Sequence, residues 1–71
     1  MGKIIITFDS VTYAYKARKL LARADINAKL VKVSAEITNG CTHGIEILNN
    51  SFFDAVNELR RAGINYSVYN P

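Results

Sequence analysis

Cys41 and His43 are the single cysteine and single histidine of the chain, and they lie two residues apart in Asn39-Gly40-Cys41-Thr42-His43-Gly44. A thiolate is a nucleophile, whereas a buried thiol is a small, weakly polar hydrophobe, so the state of Cys41 decides what this stretch does. As a thiolate it could hold a terminal sulfur or selenium atom in a persulfide-like form. Thr42 and His43 would add hydrogen-bond donors, and Gly40 and Gly44 would let backbone amides approach closely. Taken alone, His43 reads as a solvated loop residue rather than a base for the cysteine. Residue type leaves Cys41 open to either role, packing or chemistry, although a polar, glycine-flanked loop on a rigid scaffold is a frequent place for function.

Other chemistries find little support. One cysteine cannot build a disulfide framework, and no second cysteine or histidine cluster exists to close a zinc site, so no metal or other cofactor is expected. There is no phosphate-binding glycine loop and no set of convergent carboxylates for acid–base catalysis, and the chain does not read as an enzyme. The net charge of +3 and pI near 9.3 invite a nucleic-acid reading. However, the bases spread over Lys3, Lys16, Arg18, Lys19, Arg23, Lys29, Lys32, Arg60 and Arg61, which a solvated helix face explains better than a basic stripe. The central strands, Ile-Ile-Ile-Thr and Ile-Glu-Ile-Leu, also lack the paired aromatics on which RNA bases stack. Tyr13, Tyr15, Tyr66 and Tyr69 read as core edge and surface.

The elements that must position Cys41 can be drawn from the pattern. Seventy-one residues, 49% hydrophobic and 21% charged, make one small globular domain spanning 1–71. Its apolar start, Ile4-Ile5-Ile6, is too short for a signal segment or a membrane span and reads as a buried strand of a cytoplasmic protein. Strand one covers 3–8, with Ile4, Ile6 and Phe8 on one face and Ile5 and Thr7 on the other. Asp9-Ser10 offers an N-cap to a helix over 11–24, whose apolar stripe is Val11, Ala14, Ala17, Leu20, Leu21 and Ala24.

Strand two covers 28–33, with Val31 and Val33 expected inward, and 34–43 is a loop. Strand three covers 44–48, with Ile45 and Ile47 inward. Asn49-Asn50 turns into a second helix capped by Ser51, with Asp54 placed for a capping box. Phe52, Phe53, Val56, Leu59 and Ala62 form its expected stripe, and Gly63 suits a left-handed C-terminal cap followed by Ile64. Strand four covers 65–69. The segment Leu21-Ala-Arg-Ala-Asp-Ile-Asn27 also echoes Leu59-Arg-Arg-Ala-Gly-Ile-Asn65, one copy at each helix end.

The element order βαββαβ predicts an α+β, ferredoxin-like domain: a four-stranded antiparallel sheet in order 4-1-3-2 with two helices on one face. In that topology strand one ends, helix one begins and the 34–43 loop opens at the same sheet edge. Cys41 is therefore expected near Asp9, Ser10 and Val11, where unpaired amides and the helix dipole favour a thiolate. The Asp9 carboxylate would oppose that thiolate unless it turns inward as a cap.

Three stretches then resemble a known family along nearly the whole chain: "TFDSVTYAYKARKLL", "ADINAKLVKVSAEITNGCTHGIEI" and "AVNELRRAGINYSVY". They look like the small bacterial domains described as selenium/sulfur carrier-like. The polar stretch Ala35-Glu-Ile-Thr38 matches the family's loop in part, but Thr42-His43 intervenes where the family typically has glycine directly after cysteine. The resemblance implies a carrier whose residue is Cys41, serving sulfur or selenium donor and acceptor proteins. The rival reading is a non-enzymatic binding or regulatory module in which Cys41 is structural. It would act through the open sheet face, expected to carry Ile5, Thr7, Leu30, Lys32, Glu46, Leu48 and Tyr69, with homodimerisation as one form.

Overall fold

The computed structural model describes residues 2–33 and 43–69. Strand β1 (Lys3–Thr7) leads into helix α1 (Val11–Arg23) and then strand β2 (Lys29–Lys32). Strand β3 (His43–Leu48) follows, then a short 3-10 turn (Asn49–Ser51), helix α2 (Phe52–Arg61) and strand β4 (Ser67–Tyr69). The sheet order is β2-β3-β1-β4 with every neighbouring pair antiparallel, which is the order 4-1-3-2 expected of the ferredoxin-like arrangement.

Branched isoleucines make the two central strands and also set their register. Ile4 lies opposite Ile47, and Ile6 opposite Ile45. Residues directly opposite in an antiparallel pair point to the same face, so all four meet the helices, and none is more than 8% exposed. The helices answer with small residues: Ala14 and Ala17 of α1 and Ala55 of α2 are fully buried. Alanines let the helix backbones settle close to the sheet, while Leu21 and Leu59 fill the remaining volume. Each such buried leucine or isoleucine contributes about 1.5–3 kcal/mol through removal from water.

The two helices end in the same way. At the end of α1 the Ile26 amide donates to the Leu21 carbonyl (2.8 Å) and the Asp25 amide to that of Ala22 (3.1 Å). At the end of α2 the Ile64 amide donates to Leu59 (3.0 Å) and the Gly63 amide to Arg60 (3.1 Å). Both are Schellman motifs with a left-handed residue, Asp25 at φ 63° and Gly63 at φ 72°. The sequence repeat is thus a repeated helix stop.

Several details depart from the sequence reading. In β2, Leu30 lies opposite Ile45 and packs against the core, while Val31 lies opposite Gly44 and faces away from the helices. The expectation of Val31 and Val33 inward is therefore corrected by one residue of parity, and Leu30 and Lys32 leave the open face. Apolar side chains at both parities of a four-residue edge strand gave no alternation, so β3 decided the register.

In α2 the buried arc is Ala55, Val56 and Leu59 with Phe52 against it, while Phe53 is 80% exposed and Ala62 lies outside. Phe53 meets the Phe52 ring edge-on, centroids 5.6 Å apart. In α1, Val11 is 39% exposed and Ala24 is solvent-facing at the cap. The Ser51–Asp54 capping box does not form. Ser51 ends the 3-10 turn at φ −98°, ψ 1°, outside the extended geometry a capping side chain needs, and the Phe52 amide donates to the Asn49 carbonyl instead.

Candidate functional site

The sheet edge at which β1 ends, α1 begins and β3 starts carries the described candidate residues Asp9, Ser10, Val11, His43 and Gly44. Thr7 lies opposite Gly44 on one side, and Val31 opposite Gly44 on the other. His43 is the first residue of β3 rather than a loop residue, and pairs with Lys32. It shares parity with Ile45 and Ile47, so its side chain lies on the helix-covered face, the side from which α1 departs. Cys41, Gly40 and Thr42 lie outside the described residues, as does most of the loop expected over 34–43.

Ser10 holds the N-cap position of α1 with extended backbone, φ −152° and ψ 163°, and its carbonyl accepts from the Ala14 amide at 3.3 Å. Its hydroxyl makes no capping bond. The first-turn amides therefore gain nothing from Ser10 Oγ, and the positive end of the helix is left without that neutralising partner. Val11 begins the helix half-exposed, and no acidic residue lies in its first turn. Asp9 is exposed. It borders a shallow depression of about 570 Å³ shared with Arg60 and Ser67.

Arg60 and Ser67 were not singled out from the sequence as neighbours of this edge. The signal was available in the topology, since antiparallel helices return the end of α2 to the sheet edge where α1 begins.

Gly44 has a plain steric role. A Cβ there would stand 2.7 Å from the Ile6 carbonyl oxygen and 3.3 Å from the methyl carbons of Ile5 and Thr7. The glycine lets β3 lie close against β1 at the second residue of the strand. Among the described residues no group of three or more histidine, cysteine or acidic side chains is placed to hold a metal. No helix among them is long and apolar enough to cross a membrane.

Element order and sheet topology together define a ferredoxin-like α+β domain. Across residues 3–70 the chain matches the family model described as "Putative Se/S carrier protein-like", and it belongs to that family. No curated protein and no solved structure matches the chain.

Proposed function

We propose that this protein is a non-enzymatic carrier that holds a sulfur or selenium atom on Cys41. The observation that carries the reading is membership of the Se/S carrier-like family over residues 3–70 in a chain with a single cysteine. The sheet edge supports it. Cys41 precedes His43 by two residues, and chain geometry limits that tether to about 7 Å between Cα atoms. In this reading the sulfur lies near the α1 N-terminus, around Asp9, Ser10 and Val11. Hydroxyl and imidazole donors from Thr42 and His43 and backbone amides at Gly40 and Gly44 complete the site in this reading.

The transfer step balances without an added oxidant. The Cys41 thiolate attacks the terminal sulfur of a donor protein's cysteine persulfide and a new S–S bond forms on Cys41. The donor's S–S bond breaks, and its electron pair leaves as the donor thiolate. An acceptor thiolate or other nucleophile then takes the terminal atom in the reverse sense. A helix dipole lowers the thiol pKa and so raises the fraction present as nucleophile. Such a thiol needs a reducing compartment, consistent with a cytoplasmic protein.

Incubation with glutathione persulfide followed by intact-mass spectrometry tests the proposal. The expected result is a gain of one sulfur atom that dithiothreitol removes and that Cys41→Ser abolishes. Alkylation across pH should give a thiol pKa below the model-peptide value of about 8.5. A thiol that alkylates readily yet takes no sulfur would overturn the carrier reading.

A further inference from the structure

Helix α1 turns three of its cations toward the place where α2 ends. Lys16, Lys19 and Arg23 line a groove of about 440 Å³ there, at positions i, i+3 and i+7 of the helix. Seven residues of α-helix rise about 10 Å, so the three cations form a row and not a point. The floor is apolar: Leu20 and Ile64 line the groove and pack against the core behind it. Tyr13 closes one end, with the Lys16 ammonium 5.6 Å from its ring centroid.

Among the described residues no carboxylate lines this groove. Glu58, in the last turn of α2, is engaged by Arg61 at 3.5 Å. The positive charge of the row is therefore not balanced from within the groove itself.

We propose that this groove docks an acidic segment of a partner protein, with carboxylates along the Lys16–Lys19–Arg23 row and an apolar side chain over Leu20 and Ile64. Charge complementarity selects the sign of the partner, and the apolar floor selects its kind. A phosphate backbone has nothing to set against Leu20 and Ile64, and Tyr13 is the one ring among the lining residues, too few for successive bases to stack on. Charged groups around such a surface govern encounter rate and specificity, and their effect weakens as salt screens them. The inference does not depend on the chemistry of Cys41 and holds equally for a Cys41→Ser chain.

The test is fluorescence anisotropy with a fluorescein-labelled peptide of alternating glutamate and leucine, its glutamine counterpart, and a labelled oligothymidine of equal charge. The acidic peptide should bind the full chain, the glutamine peptide should not, and affinity should fall as sodium chloride rises. Lys16→Glu/Lys19→Glu/Arg23→Glu should weaken binding by about tenfold or more, the sum of three exposed ion pairs. Lys29→Glu/Lys32→Glu, on edge strand β2 and outside the groove lining, should leave it unchanged. Circular dichroism checks folding, and glutamine at the same three positions replaces glutamate if charge reversal unfolds the chain. Absence of peptide binding, equal loss in the edge-strand control, or tighter binding of the oligothymidine would each overturn the proposal.

Discussion

Gly44 shows how tightly one residue can be constrained without any unusual backbone. The Cβ of an alanine there would press on the Ile6 carbonyl oxygen at 2.7 Å, and Ile6 is fully buried opposite Ile45. Neither side can retreat without opening the central pair of strands. Gly44→Ala is therefore expected to destabilise the fold by about 1–3 kcal/mol, the usual range for overpacking a filled site. Urea denaturation measures this directly, and a variant as stable as the parent would show that β1 and β3 can part at little cost. A single sequence reveals that Gly44 adjoins the Cys41 loop but not that a carbonyl fills the space beside it. The glycine's steric reason became visible only once Thr7 and Gly44 were paired.

At the scale of elements, the repeated helix stop offers an internal comparison. Asp25 and Gly63 occupy equivalent left-handed positions, φ 63° and φ 72°. An L-residue with a Cβ pays roughly 1–2 kcal/mol there, and aspartate tolerates the region better than most. Asp25→Gly should therefore stabilise the protein by about 1 kcal/mol, and Gly63→Asp should destabilise it by a similar amount. The exchanged double variant Asp25→Gly/Gly63→Asp should return to within about 0.5 kcal/mol of the parent, because the two caps sit at different helix ends and add independently. Chemical denaturation of the four proteins checks the whole cycle.

The same scale shows what the sequence made legible. Strong, long patterns carried through: the Ile4/Ile6 and Ile45/Ile47 alternation, the Gly63 stop and the order of elements. Errors fell where an element had apolar residues on two sides. Leu30 and Val31 differ by one position, as do Phe52 and Phe53, and only the neighbouring element decides which of each pair is covered. The N-terminal edge of α1 was legible through Ser10, but Cys41 itself falls outside the described residues.

For the molecule as a whole, one sheet with helices on one face makes a slab of 30 × 28 × 16 Å. A domain of 71 residues is stable by only roughly 4–11 kcal/mol. A single core side chain is therefore a large share of the total. Leu59 is fully buried within the core cluster, and it also carries the carbonyl that closes the α2 Schellman turn. Leu59→Ala should cost about 2–5 kcal/mol and, at about 4–8 °C per kcal/mol for a domain this size, lower the melting temperature by tens of degrees or abolish folding. Phe53, the larger side chain, is 80% exposed, so Phe53→Ser should change stability by no more than about 0.5 kcal/mol. Thermal melts followed by circular dichroism compare the two, and the reverse order of effects would mean that α2 is rotated about its axis so that Phe53 packs inward.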